Sequence, residues 1–303
     1  MIRIGRFATF YVAAMAGIAA LSVGAHAGAE EPVSLTAAPE TQAATAPSYI
    51  VPVAANDPFS ALVGKGNRQR EDRRGEARIE RYVLAADDRS FLFEDRSGAA
   101  RIKFLCSGED ARVECVIDPF GPAEEIHLLS ANRAPRGDVI YKDDDGKTLL
   151  RIASYGGATV YWPGEAQGAA ASKSFGESKK LDLPFADYDT AMRRAHNATA
   201  IISAATGAAI VFDIGARPVR EGENNAVLAD AVVVAAKALV GVAGDKTGAR
   251  ALGARVSTVS FVAGETPGVT LDGKDLAITY MRFGGLEARP SSSVLRRHLE
   301  ASL

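Results

Sequence analysis

The sequence predicts an α+β fold: an antiparallel β meander or barrel-like first half, then an α-β-α-β-β-β layer. Three observations carry that prediction. Eight short β-rich runs follow one another from residue 78, about ten residues apart and split by turn formers. Two Asp-Gly pairs, Asp145-Gly146 and Asp272-Gly273, each lie between apolar alternations, a hairpin signal. Two long helical patterns occur, both after residue 187. The boundaries this implies are 1–27 for a signal peptide and 28–75 for a linker with a charged segment. An antiparallel β domain follows over 76–175, and an α/β domain packed on it over 176–303.

The β-rich runs are RIERYVLA, SFLFED, ARIKFLC, RVECVI, EEIHLLS, DVIYK, KTLLRIAS and ATVYW. Such spacing fits a meander, a sandwich or a small barrel. The third and fourth runs hold the two cysteines of the chain, Cys106 and Cys115. Read as a hairpin with a Glu109–Arg112 loop, they place Cys106 opposite Cys115, Leu105 opposite Val116 and Phe104 opposite Ile117. One face then carries Ile102, Phe104, Cys106, Val113, Cys115 and Ile117, because strand side chains alternate. Opposed residues lie close enough to be bridged, so a Cys106–Cys115 disulfide is expected. Closing that loop would contribute about 2.5–3 kcal/mol in the chain-entropy description. Zinc would need two further ligands, and His127, His196 and His298 are scattered. A redox centre would usually show C-x-x-C, which is absent. No metal site and no cofactor are expected.

The Asp145-Gly146 turn sets Tyr141 opposite Leu150 and Val139 opposite Ile152. The Asp272-Gly273 turn sets Val269 opposite Leu276. In the second half, a helix is predicted from Tyr188 to Ala205, stopped by Gly207, followed by a buried strand ending at Gly215. Asn224 or Asn225 could cap a helix of about seventeen residues over AVLADAVVVAAKALVGVAG. Asp230 and Lys237 are its only charges, and seven residues apart they share one stripe. Its apolarity predicts burial against a sheet, and its charges and length argue against a membrane span. The tail should end in a short helix capped by one of Ser291 to Ser293.

The N-terminus has the layout of a secretory signal peptide. Arg3 and Arg6 precede an uncharged apolar run from Phe7 to Val23, then Ala25-His26-Ala27 offers cleavage after Ala27. An uncleaved anchor is the rival reading. After cleavage, no transmembrane segment is expected. Removal of Arg3 and Arg6 leaves 33 basic residues against 37 acidic, which gives no electrostatic footprint for nucleic acid. Gly28 to Asn56, rich in Ala, Pro and Thr, reads as a tether. Asp57-Pro58 could open a short helix, and residues 65–81 mix basic and acidic side chains as a solvated helix would.

Several motifs come near a known chemistry without reaching it. GVTLDGKD has Asp275 where a phosphate loop needs Ser or Thr, and it lies in a hairpin. YKDDDGKT has Tyr141 where the first glycine should stand. As a calcium loop ending at Gly146 it would have Tyr141 and Ile152 in place of acidic ligands. Arg136-Gly137-Asp138 reads as a turn before a strand. Asn197-Ala198-Thr199 falls within a predicted helix. His127, with Glu124 and Glu125, could serve as a general base, although a strand histidine beside solvated acids is the plainer account. Trp162 could join Tyr155 and Tyr161 in an aromatic edge, or simply sit in the core at the barrel rim.

The segment APRGDVIYKDDDGKTLLRIASYGGATVYWPGEAQGAAAS resembles a family of exported alphaproteobacterial proteins of unknown function, and ARPSSSVLRR is similar to that family's ending. The likeness covers about residues 78–298. It implies an envelope protein of a Gram-negative bacterium and carries over no catalytic residues. Three function classes follow: a non-catalytic envelope protein that binds a partner or ligand, an envelope hydrolase with a site assembled from distant residues, and a structural subunit that oligomerises through a β edge. The first is favoured because no local catalytic signature survives. The hydrolase would require a pocket collecting His127 or His298 with carboxylates. The sequence names neither the partner nor the oligomeric state.

Overall fold

The computed structural model describes residues 78–96, 99–174, 181–216 and 222–303. The signal segment with its cleavage after Ala27, the 28–75 linker, the Asp57-Pro58 helix start and most of the charged 65–81 stretch lie outside the described residues.

Eight antiparallel strands close into a barrel: β1 (Arg78–Leu84), β2 (Ser90–Arg96), β3 (Ala99–Phe104), β4 (Ile126–Arg133), β5 (Val139–Lys142), β6 (Thr148–Ile152), β7 (Ala158–Val160) and β8 (Ala169–Ser174). Closure comes from β1 pairing with β8, with Tyr82 opposite Lys173. Alternation decides what lies inside. Tyr82, Phe91, Phe93, Ile102, Phe104, Tyr141, Leu150 and Val160 form one buried cluster, and eight strands enclose just enough room for side chains to fill. The predicted β5–β6 hairpin is present in register, with Tyr141 opposite Leu150 and Val139 opposite Ile152. Strand β8 was not expected. Its AAASKS sequence is small and polar, and pairing on both sides holds it in the sheet.

The predicted Cys106–Cys115 hairpin is not formed. Strand β3 stops at Phe104, and Val113–Val116 is a helical turn, α1. The sulfur atoms still lie at bonding distance, 2.03 Å, with Cα atoms 5.6 Å apart. The β-type sequence VECV yields to its surroundings here. The turn buries both Val113 and its neighbour Glu114, which a strand would have pointed to opposite faces.

The second half is built from α2 (Tyr188–Thr206), β9 (Val211–Asp213), α3 (Ala226–Ala243), α4 (Lys246–Arg255), β10 (Thr258–Ala263), β11 (Gly268–Asp272), β12 (Asp275–Tyr280) and α5 (Ser292–Ser302). Its sheet runs β11-β12-β10-β9. Strand β10 is parallel to both β9 and β12, and β11 is antiparallel to β12. Helices α3 and α4 form the crossover that a parallel β9–β10 pair requires.

Asp187 caps α2 by accepting from the Thr190 N–H at 2.8 Å, and Gly207 ends it at φ 70°. Asn225 occupies the cap position of α3, while Asn224 Oδ1 accepts from the Ala226 N–H at 3.0 Å. Helix α3 is long and apolar enough to cross a bilayer, and here most of it is buried in the fold. Helix α4 was not expected. A Cβ on Gly248 would lie 2.0 Å from the Val242 carbonyl oxygen, so glycine permits the close α3–α4 turn. The β11–β12 register also differs from expectation. Val269 faces Ile278, not Leu276, because the loop is Gly273-Lys274 with Gly273 at φ 57°. Ser291 caps α5, accepting from the Val294 N–H at 3.3 Å.

Candidate functional site

At one end of the barrel, β3 ends, β4 begins and the β5–β6 turn projects. Helix α3 and the start of α5 cover this end, and an open pocket of about 370 Å³ lies between them. Phe104, Val113 and Leu149 line it from the barrel side, and Lys237, Val240 and Gly241 from α3.

Behind the pocket is a network of charge. Lys237 Nζ lies 3.0 Å from Glu125 Oε2, 3.2 Å from Glu114 Oε1 and 3.4 Å from His127 Nε2. Glu125 accepts twice from Ser292, from its N–H at 3.1 Å and from its hydroxyl at 2.6 Å. One carboxylate therefore both meets Lys237 and receives the first turn of α5, where helix amides attract negative charge. Arg112 Nη1 reaches Glu114 at 3.3 Å, and Arg289 binds Asp230 at 2.6 Å. Arg194 binds Asp118 at 3.0 Å. Glu114 and Glu125 are 1% and 2% exposed.

Burial alone would push the Glu125 carboxyl up. The positive charge near it, from His127 when protonated, Lys237 and Arg289, outweighs burial and holds it well below the usual carboxylate range. Burial works against the Lys237 ammonium, but Glu125 and Glu114 raise its pKa above the ordinary value. His127 is lowered to about 4, chiefly by burial; Glu125 opposes this, and Lys237 and Arg289 add to it. At neutral pH the imidazole is uncharged. The ammonium then donates to Nε2, which leaves the ring proton on Nδ1. The ring also packs edge-on against Phe104, with centroids 5.9 Å apart.

This geometry corrects one expectation. Of the acids near His127, Glu125 is a buried partner of Lys237 and Glu124 pairs with Lys103 at 3.0 Å; neither is a solvated neighbour. The hydrolase requirement is met in part: His127 and Glu114 share the pocket. His298 lies on α5 and is not among its lining residues, and His196 is exposed on α2. Trp162 is 4% exposed and stacks edge-on against Phe104 at 5.0 Å, whereas Tyr155 is 88% exposed, so the three aromatics share no edge. Cys106, Cys115 and Asp110 approach one another closely enough for a cation, but both sulfurs are engaged with each other. Asp138 of the R-G-D triplet is buried, accepting from Arg151 and the Ser154 N–H. Asn197 Nδ2 donates to the Ile117 carbonyl at 2.8 Å. Asp143 accepts from the N–H groups of Asp145 and Lys147, and Asp145 pairs with Arg297. The acidic turn is thus occupied by its own contacts.

Sequence reasoning missed Glu114, Glu125 and Ser292 as members of one site. The available signal was Lys237, one of two charges on a long apolar helix.

A family of proteins with a domain of unknown function, DUF4908, matches residues 58–299. The chain belongs to that family. The DUF4908 match spans the barrel, both sides of the pocket and the first eight residues of α5. No curated protein and no solved structure matches the chain.

Proposed function

We propose that this DUF4908 protein is an exported binding module of the Gram-negative envelope, with the junction pocket as its ligand site. The observation that carries the reading is the pocket itself: an apolar cleft whose buried ionisable groups are already paired. Sites for small molecules are mostly apolar clefts with a few placed polar groups. The Cys106–Cys115 pair is compatible with an oxidising compartment. The layout of Arg3, Arg6, Phe7 to Val23 and Ala27 supports export with cleavage. A second reading, an envelope hydrolase, draws on Ser292, Glu125, Lys237 and His127 meeting in one cluster. It ranks lower because a carboxylate held so firmly ionised is a weak base, and Lys237 holds its proton.

The test is native mass spectrometry of the full chain purified from the envelope of its host. The expected result is a chain beginning at Gly28, carrying a small non-covalent adduct and no activity on ester or amide substrates. Turnover that disappears in both Ser292→Ala and His127→Gln would replace the binding reading with the hydrolase.

A further inference from the structure

Resting on the binding reading, we infer that the pocket takes an amphiphilic anion: an apolar chain seated in the cleft and a carboxylate or similar anionic head at its rim. The argument begins with where charge is already spent. Arg112 and Lys237 face the inner wall, but Asp110, Glu114 and Glu125 pair with them. An anion placed deep would have to displace those carboxylates from a buried site, which is costly. The inner surface left for a ligand is apolar: Phe104, Val113, Leu149 and Val240. Burial of such surface favours a hydrocarbon.

The rim differs. Lys147 is exposed on the β5–β6 turn, and no ion pair involves it among the described residues. Arg296, its side chain 43% exposed, reaches Asp145 and Glu300 only at 3.7 and 3.5 Å. Exposed pairs of that kind are weak and exchange readily for a better acceptor. Four cations line the pocket, Arg112, Lys147, Lys237 and Arg296, against two carboxylates, Glu114 and Asp143. With His127 neutral, the lining side chains carry more positive than negative charge, and the cations held least firmly lie at the mouth: Arg296 in two long pairs and Lys147 in a through-space attraction to Asp143. A pocket of about 370 Å³ is near the lower end for ligand sites, so the occupant is one slim chain and not a multi-chain lipid.

The barrel interior is not the ligand chamber. Its aromatic side chains fill it, and Trp162, the only tryptophan, packs against Phe104 of the pocket wall. That contact makes Trp162 fluorescence a direct readout.

The experiment titrates the full chain with decanoate, decan-1-ol and acetate, following Trp162 emission and heat. Decanoate should bind at least about tenfold tighter than decan-1-ol, the gain expected of one charge-assisted contact, and acetate should not bind at matching concentration. The Lys147→Gln/Arg296→Gln double variant changes exposed Lys147 and half-buried Arg296 at the rim and should remove that advantage, leaving decan-1-ol within about twofold. Gly241→Leu, which fills the α3 wall, should weaken both amphiphiles. Equal affinity for decanoate and decan-1-ol would overturn the anionic head while leaving the apolar pocket in place. A preference that survives in the double variant would overturn the rim assignment. If neither amphiphile binds although the natively purified chain carries an adduct, this inference falls and the binding reading stands. If there is no adduct either, both fall.

Discussion

The barrel interior and the junction above it are buried to a similar degree but built from opposite materials. Inside the barrel, Tyr82 stacks on Phe91, Phe93 meets Tyr141 edge-on, and Phe104 meets Trp162. Charge touches that cluster only at its margins, where the Tyr82 hydroxyl donates to Glu80 at 2.7 Å and Arg89 and Arg112 lie over the Trp162 ring. At the junction, Glu114, Glu125, Asp118 and Asp230 from the barrel side and α3 meet Arg194, Lys237 and Arg289. Apolar packing tolerates approximate partners of the right size. Buried charge requires a specific partner, and loss of one strands the other. The barrel can therefore be specified locally, strand by strand, whereas the junction is specified only once distant segments have met.

Three measurements sharpen that contrast. The largest effect is expected from Lys237→Met, which leaves buried Glu125 without its ammonium partner and Glu114 with Arg112 alone. It should lower unfolding stability by about 3–5 kcal/mol in urea denaturation. Adding Glu125→Gln should recover part of the loss, and a double variant no better than the single one would contradict the pairing.

The next effect is in acid. The folded pKa of His127 is lowered to about 4 from an ordinary 6.5. Between those values the unfolded chain binds a proton that the folded one refuses, so stability falls as pH drops from 6.5 towards 4. The loss is about 3 kcal/mol by pH 4. Glu125 acts in the same direction but lower, since its depressed carboxyl stabilises above its unfolded value and loses that contribution only in stronger acid. His127→Gln should flatten the 6.5-to-4.5 part of the profile, and an unchanged slope there would show that another group titrates.

The smallest effect belongs to the barrel. Ile102→Val, fully inside, should cost about 0.5–1.5 kcal/mol. The cost should be the same at pH 5 and pH 7, and a pH-dependent cost would mean that the two regions are not energetically separate.

The same contrast explains what could be read from the sequence. Period-two alternation gave the β5–β6 register from Val139 to Tyr141, up to a bulge at Lys142, and cap residues placed α2 and α3 within one residue. Failures arose where tertiary contacts overrule local preference. VECV is β-branched at both ends yet forms a helical turn, because the junction needs Glu114 inside. AAASKS has little β character yet completes the barrel by pairing on both sides. KTGARALGAR looks broken by its glycines, although Gly248 is what lets α4 fold back on α3. For the site, Lys237 and His127 stood out singly, but Glu125 and Ser292 are 167 residues apart and Arg289 and Ile126 are 163 apart. No local pattern announces such a meeting.

Closure of the barrel has a consequence for association. Since β1 pairs with β8, every barrel strand has neighbours on both sides, so the barrel presents no open ladder of N–H and C=O groups to another chain. Among the described strands, the free ladders belong to β9 and β11, the outer strands of the second sheet, and Val211 on β9 is half exposed. Among the described residues, strand addition can therefore start only from the α/β half, on a ladder of three residues or of five.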